Sequence, residues 1–405
     1  GILFFVKSFK DKKMIFLSTA FFVFNLYIYR STWLFVPIYL TSLLILFRDE
    51  VAKNLKYFTI AFGLFVILVS PIAITAFSPS GTSRLRQIGI TSEFNMIGFI
   101  NDVNYQRGAC QEGLPKAVCK FTYNKYFVVF TKYVSNYVSH FSPQLLFING
   151  SQDGEQMLKG RGFLYFIELP FIILAIILLS KKIKNIESRL LLSWLLIYPI
   201  ASASAGFETP GRQAIAMPIW EILTSIGCIV SYTYISKLKM KLLKITMILM
   251  FTSILLFEFG KYLVEYFIIF PQNSAQNFRY GYKQLYKYLS DQENNYNQIT
   301  ISNKLDQSHQ YIFQLFYQKI EPNFYHNPLN ISRSFDEEGW VVVSRIGKYH
   351  YVPSSPNIDE LPPKSLLVVT KGEINFPTAL VHKIDDPQRK NVFEIYNVDM
   401  MRIIK

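Results

Sequence analysis

Long apolar runs separated by short polar segments fill the first two thirds of the chain. Several approach the roughly 20 residues that an α-helix needs to cross a bilayer. The first two runs are shorter and fit a tight pair of helices, because Arg30 can extend its side chain to an interface. The pattern predicts a membrane protein with about seven transmembrane helices, at residues 14–29, 33–47, 57–77, 163–180, 190–205, 213–236 and 245–270.

One long polar interruption, residues 78–162, separates the third run from the fourth. It also contains the apolar sequence FSPQLLFING at residues 141–150. Loops of this length are usually functional when they lack structure of their own. We expect this loop to lie on one side of the membrane and to form part of an active-site face.

The pattern changes after residue 271 and indicates an extramembrane α/β domain. Phe278, Tyr282, Leu285 and Leu289 recur at helical spacing, and residues 309–320 predict a second helix. Short β-rich runs occur at residues 299–302, 340–344, 366–370, 379–384 and 392–398. We therefore predict a transmembrane domain at 1–271 and an α/β domain at 272–405.

Composition agrees with this division. The chain has 405 residues, of which 51% are hydrophobic and 17% charged, and its mean hydropathy is +0.21. These values are typical of an integral membrane protein with a soluble portion. The net charge of +14 lies mostly before residue 272, so it indicates membrane topology and argues against a nucleic-acid partner.

The charged connections between the runs predict an orientation. Four connections would share one side of the membrane if seven helices alternate, and each has more Lys and Arg than Asp and Glu. Positive connections face the cytoplasm. We expect a plasma (inner) membrane protein with a cytoplasmic N-terminus and an extracytoplasmic C-terminal domain. The four connections are residues 7–13, 48–56, 181–189 and 237–244.

Three cysteines are present. Cys228 lies in an apolar run and is most simply a small core residue. Cys110 and Cys119 lie in the long loop, where they can pair if the loop faces an oxidising space or remain free thiols. The sequence alone leaves both alternatives open.

Cationic residues gather where the apolar runs meet the predicted outer face. Arginine binds phosphate oxygens bidentately, so such a group suits a lipid phosphate, although contact with ordinary headgroups explains any single member as well. Glu168 and Glu221 lie inside apolar runs, where a carboxylate either has a functional role or pairs near an interface. The sequence shows no metal-ligand spacing and no nucleotide-cofactor motif. The candidate cationic residues are Arg84, Arg86, His140, Lys159, Arg161 and Arg212.

Five stretches resemble bacterial membrane glycosyltransferases of the GT-C superfamily, of the protein O-mannosyltransferase and lipid A aminoarabinose transferase type. They cover much of the chain in order. The stretches are YRSTWLFVPIYL (29–40), NYVSHFSPQLLFINGSQDGEQMLKGRGFLYFIELPFIILAI (136–176), LLLSWLLIYPIASAS (190–204), PGRQAIAMPIWEIL (210–223) and YIFQLFYQKIEP (311–322).

The resemblance implies transfer of a sugar from a polyprenyl-phosphate donor to an acceptor protein or glycolipid at the outer face. Phosphate-binding cations on outer loops belong to that family's pattern. Its catalytic acidic residues lie in the first outer loop, which would precede residue 1 of this sequence. We therefore expect the chain to be N-terminally incomplete, and no general base is assigned to it.

Other classes of protein share parts of this pattern. A transporter or flippase of a lipid-linked substrate would need inverted repeats and broken helices, which the sequence does not show. A membrane-anchored binding module would not need seven helices and a long outer loop. An O-antigen ligase or polymerase fits the basic loop but not the appended C-terminal domain. The glycosyltransferase hypothesis accounts for more of the chain than these alternatives.

Overall fold

A computed structural model describes residues 1–76, 89–151, 155–205, 210–305, 309–335, 341–353 and 356–404. The chain divides into two compact units, Gly1–Tyr262 and Leu263–Lys405. The first is helical and the second is built around a β-sheet. The chain is thus mostly helical with a C-terminal β-sheet domain, as the hydropathy pattern predicts.

All seven apolar runs form helices. A π-helical turn (Gln144–Ile148) and a 3-10 turn (Phe166–Glu168) precede the fourth of them. The helices of the first unit are α1 (Ile2–Lys7), α2 (Met14–Ile28), α3 (Thr32–Leu46), α4 (Arg48–Lys53), α5 (Leu55–Ala76), α6 (Glu93–Gln111), α7 (Lys116–Thr122), α8 (Lys125–Ser139), α9 (Leu169–Lys181), α10 (Ile186–Ala203), α11 (Pro210–Gln213), α12 (Met217–Ser236) and α13 (Lys241–Val264).

Four helices in the described part of the chain are long and apolar enough to cross a membrane: Leu55–Ala76, Ile186–Ala203, Met217–Ser236 and Lys241–Asn273. The last of these is α13 with the turns that continue it. α2 and α3 have 15 residues each, and α9 has 13. Helix length therefore supports four spans, and the arrangement with about seven spans stays a prediction.

The short helices α2 and α3 form the expected tight pair. The side chain of Thr32 donates to the carbonyl of Asn25 at 2.9 Å, and the indole N–H of Trp33 donates to the carbonyl of Leu26 at 2.8 Å. The last carbonyls of a helix lack partners within it. These two side chains therefore supply partners for the carbonyls of Asn25 and Leu26 in the last turn of α2.

The core of the helical unit lies where α9 packs on α12, α10 on α3, and α2 on α5. Its largest buried side chains are Tyr39, Tyr198 and Trp220, each of which is at most 2% exposed. α9 and α12 approach so closely that a methyl group on Gly227 would collide with the carbonyl group of Phe171. Glycine at this position therefore sets the distance between the two helices.

The described part of the long loop is itself helical. α6 begins after Ser92, whose hydroxyl accepts the N–H of Asn95 at 3.3 Å, and α8 begins after Asn124, whose side chain accepts the N–H of Phe127 at 2.9 Å. Such capping residues satisfy the first free N–H groups of a helix. The polar loop predicted from the sequence thus contains α6, α7 and α8 within its described residues.

A seven-stranded mixed sheet organises the second unit, in the order β2-β3-β4-β1-β5-β7-β6. β1 pairs in parallel with β4 and β5, and the other neighbours are antiparallel. Its elements are α14 (Phe270–Asn273), α15 (Tyr282–Gln292), β1 (Gln298–Ser302), α16 (Gln310–Tyr317), α17 (Pro322–His326), β2 (Ile331–Phe335), β3 (Val341–Ile346), β4 (Tyr349–Val352), β5 (Ser365–Thr370), β6 (Leu380–Asp385), β7 (Asn391–Asn397) and α18 (Val398–Ile404).

Both faces of the sheet are covered. Successive residues of a strand point to opposite faces, and in β5 Leu366 packs in the cluster with α15, whereas Leu367 packs in the cluster with α18. Tyr282 and Tyr286 of α15 are fully buried, while Phe278, predicted to share their helix, precedes it and is exposed. The prediction for Phe278 is wrong because α15 begins only at Tyr282, after Gly281 in a left-handed conformation.

Candidate functional site

The carboxyl end of α10 is a meeting point of three separate segments. The carbonyls of residues 203–205 accept hydrogen bonds from the backbone N–H of Ile90 (3.0 Å), the amide of Asn136 (3.1 Å) and the guanidinium of Arg212 (3.3 Å). A helix carries partial negative charge at this end, which favours a nearby cation. Arg212 is buried, so its charge is held in place by the end of α10.

Arg161 is placed differently. Its guanidinium lies over the rings of Tyr165, at 5.2 Å, and Tyr262, at 5.1 Å, and donates to the carbonyl of Glu258 at 3.4 Å. Aromatic faces attract cations by their negative electrostatic potential. Arg161 is half-buried between these groups, whereas the neighbouring Lys159 is exposed.

Glu258 is a site residue that sequence reasoning missed. Its carboxylate accepts the backbone N–H groups of Phe166 at 3.1 Å and Ile167 at 3.3 Å, and so caps the turn that leads into α9. A carboxylate at a helix start also complements its positive end. Its sequence position could have identified it, because Glu258 is an acidic residue inside an apolar run, like Glu168 and Glu221.

Glu168 is buried and joins two helices. Its carboxylate accepts the N–H of Tyr165 at 3.0 Å and the hydroxyl of Thr224 at 2.9 Å. The carboxylate therefore supports the start of α9 and holds it against α12. Glu221, on α12, is exposed.

The two cation-bearing segments touch each other. Gln156 accepts the N–H of Gly211 through its side-chain oxygen at 3.1 Å, and the hydroxyl of Tyr29 lies against the same glycine. Gln156 precedes Arg161 in one segment, and Gly211 directly precedes Arg212 in the other. The structure thus brings these two predicted segments together.

The remaining predicted cations have other positions. His140 is buried; its Nδ1 lies 2.7 Å from the carbonyl of Asn136, and its own carbonyl accepts the hydroxyl of Tyr198 at 3.0 Å. These contacts place His140 in the packing between α8 and α10. Arg84 and Arg86 lie outside the described residues.

Cys110 and Cys119 form a disulfide, with their Cα atoms 5.8 Å apart. The bond joins the end of α6 to α7 and so closes the turn between them. Cys228 is free. The sequence left open whether Cys110 and Cys119 pair or remain free thiols, and in the structure they pair.

An apolar groove lies beside this region. It has a volume of about 540 Å³ and is lined by residues of α8, including Val129, Phe130 and Tyr133, together with Ile90. Ile90 also binds the carboxyl end of α10, so the groove opens near the end that Arg212 caps. No three His, Cys, Asp or Glu side chains within the described ranges are placed to hold a metal ion.

Comparison with known proteins gives no match to a family model, to a curated protein or to a solved structure. The resemblance to GT-C glycosyltransferases therefore rests on the quoted stretches of sequence alone.

Proposed function

We propose that this chain is the membrane portion of a glycosyltransferase that moves a sugar from a polyprenyl-phosphate donor to an acceptor protein or glycolipid. In this proposal the protein crosses the plasma (inner) membrane about seven times, with the C-terminal domain on the extracytoplasmic side. Four sufficiently long apolar helices support a membrane protein, and the positive connections between the apolar runs support the proposed orientation.

The observation that carries the proposal is the contact between the Arg161 and Arg212 segments through Gln156 and Gly211. Each segment leads into an apolar helix, α9 or α12. These helices run parallel, because Glu168 lies beside Thr224 and, three residues further along both helices, Phe171 lies beside Gly227. The amino ends of the two helices therefore face the same side, and the segments that carry Arg161 and Arg212 enter the helices from that side.

A lipid phosphate is the anion that best suits this position. In the transfer reaction the bond between the sugar carbon and the phosphate oxygen breaks, while the acceptor hydroxyl bonds to that carbon and loses its proton to a base. The leaving phosphate gains negative charge, which guanidinium groups stabilise. The adjoining apolar groove is suited to part of the isoprenoid chain, since almost all of its lining is hydrocarbon.

Binding of undecaprenyl phosphate to the full chain in lipid nanodiscs tests the proposal without requiring turnover. We expect Arg212→Ala to weaken binding by ~1.5–3 kcal/mol, because it removes a charge-assisted hydrogen bond. Arg212→Lys should restore only part of the affinity, because lysine lacks the planar fork. Native mass spectrometry of the nanodisc complexes provides the measurement.

Arg48→Ala is the matched control, because Arg48 is exposed beside Asp49 in a connection on the opposite predicted side. Its affinity should equal that of the unmodified protein. Equal losses for Arg48→Ala and Arg212→Ala would show that binding reflects general attraction of the anionic lipid and would overturn the proposal. A thermal unfolding scan of each variant separates loss of binding from loss of fold.

A further inference from the structure

A polar cavity of about 400 Å³ lies in the C-terminal unit, among the end of α15, helix α16 and the turn between β3 and β4. This volume is within the range of about 300–1,000 Å³ typical of small-molecule sites. Its floor is formed by the buried side chains of Gln314, Ile346 and Tyr349. Glu321 and the ring of Phe324 lie exposed at its rim.

The floor offers hydrogen-bonding groups that internal contacts only partly use. The hydroxyl of Tyr351 donates to Oε1 of Gln314 at 2.6 Å, a contact that uses the acceptor of this amide and not its NH2 donor. Nε2 of Gln318 donates to the hydroxyls of Ser290 at 3.0 Å and Tyr349 at 2.6 Å, which leaves its Oε1 as an acceptor. Buried polar groups are generally satisfied, so a polar floor of this kind fits a polar ligand.

The phenol of Tyr349 is already engaged by its neighbours, since it accepts from Nε2 of Gln318 at 2.6 Å and interacts with the carboxylate of Glu293. Burial, together with the nearby carboxylate of Glu293, raises the pKa of Tyr349 above its ordinary value. The group therefore keeps its proton at neutral pH. Lys348 directs its ammonium at the carbonyls of Glu293, at 2.6 Å, and Tyr296, at 3.3 Å, so two of its three protons are already used.

The charges around the cavity select the class of ligand. The carboxylates of Glu293 and Glu321 repel phosphate and other anions, and the nearest cation is largely occupied by carbonyls. Both carboxylates are strong acceptors for hydroxyl groups. Phe324 offers an apolar surface at the rim. Its ring lies beside Gly347, 3.8 Å from where a Cβ atom added to that glycine would be. Hydroxyl groups around an apolar carbon face are the chemistry of a sugar ring.

We propose that this cavity binds an uncharged saccharide unit, with its hydroxyls on Gln314, Gln318 and the two carboxylates and its carbon face on Phe324. The site consists only of residues of the C-terminal unit. It therefore stands independently of the transferase proposal, and failure of either leaves the other intact.

The test uses the full chain in lipid nanodiscs, because glycoside detergents would compete for the site. Disaccharides of glucose, mannose and N-acetylglucosamine are titrated, with saturation-transfer NMR to detect contact and calorimetry to measure affinity. We expect saturable binding of at least one disaccharide. Phe324→Ala and Glu321→Gln should each weaken it by about tenfold, because the first removes the apolar surface under the carbon face of the sugar and the second removes a charged acceptor for its hydroxyl groups.

Phe316→Ala and Glu360→Gln are the matched controls, because both side chains are exposed in the same unit and lie outside the cavity lining. Their affinities should be unchanged. The proposal is overturned if none of the disaccharides binds saturably, or if the controls lose as much affinity as the rim variants. Binding of glucosamine or inorganic phosphate in place of neutral disaccharides would also overturn it, since it would show a site for a charged ligand.

Discussion

The hydroxyl of Thr224 donates a hydrogen bond of 2.9 Å to the carboxylate of Glu168. The bond crosses from α12 to the start of α9 and gives the buried carboxylate one of its two described donors, the other being the N–H of Tyr165. Together with the contact of Gly227 and Phe171, it fixes the parallel register of the two helices. The placement of the segments that carry Arg161 and Arg212 on one side depends on that register.

Thr224→Val should therefore destabilise the helical unit. Hydrogen bonds between helices in membranes contribute on average about 0.6 kcal/mol and at most about 1.7 kcal/mol, and we expect a loss in this range. Unfolding of the reconstituted protein in increasing SDS measures it. Thr233→Val is the control, because the hydroxyl of Thr233 bonds to Ile229 within its own helix at 2.8 Å. An equal loss in both variants would contradict a special role for the bond between Thr224 and Glu168.

Gly227→Ala tests the close approach of α9 and α12. The added methyl group would meet the carbonyl of Phe171, so the helices must separate. Overpacking of this kind costs about 1–3 kcal/mol. Gly260→Ala provides the comparison on another apolar helix, since nothing lies within 4 Å of a methyl group at that position. SDS unfolding should show a loss for Gly227→Ala alone, and a stable Gly227→Ala protein would refute the proposed packing.

The apolar runs predicted the helices well because their composition alone permits little else. The strands β2 and β4 were missed for a physical reason. In β2 only Ile331 is buried and the next four residues are exposed, so its sequence, ISRSF, resembles a loop. β4 is only four residues long and follows directly on a two-residue turn at Gly347. β2 is recognisable only from its pairing with β3, and β4 from its pairing with β3 and β1.

The candidate site shows the same limit. The sequence identified Arg161 and Arg212 as cations near helix ends but not their partners, of which Glu258 lies 97 residues after Arg161 and Ala205 lies 7 residues before Arg212. Arg212 binds the end of α10, and Arg161 binds Glu258 and Tyr262 near the end of α13. Local patterns give the residue types and not these pairings, because the pairings depend on how the helices pack.

The disulfide between Cys110 and Cys119 predicts the labelling behaviour of the three cysteines. A maleimide reagent applied to the unfolded, unreduced protein should label Cys228 alone, and reduction should make all three thiols reactive. Cys110→Ser should expose the thiol of Cys119 without reduction. A disulfide that closes so short a segment of chain contributes about 2–3 kcal/mol to the stability of the folded state. The variant should therefore also unfold more readily between α6 and α7. Labelling of all three thiols before reduction would refute the pairing.

The C-terminal unit should lose stability in alkali through its buried tyrosines. Burial, with the neighbouring hydroxyl of Tyr351, raises the pKa of Tyr286 well above its ordinary value. Burial likewise raises the pKa of Tyr351. In the unfolded chain both phenols ionise near pH 10. The stability that they contribute is therefore fully present below about pH 10 and declines as the pH rises towards their folded pKa values.

Tyr286→Phe separates the proton effect from the loss of a hydrogen bond. At neutral pH the variant should be less stable by about 0.5–1.5 kcal/mol, because the hydroxyl of Tyr286 donates to the carbonyl of Gln310 at 3.1 Å. Above about pH 10 its stability should fall less steeply than that of the unmodified protein, by the contribution of one proton. Urea unfolding followed by near-ultraviolet circular dichroism measures both quantities. Tyr317→Phe, at an exposed tyrosine, should keep the steeper dependence. An unchanged slope in Tyr286→Phe would show that the phenol of Tyr286 loses its proton at the same pH in the folded and unfolded states.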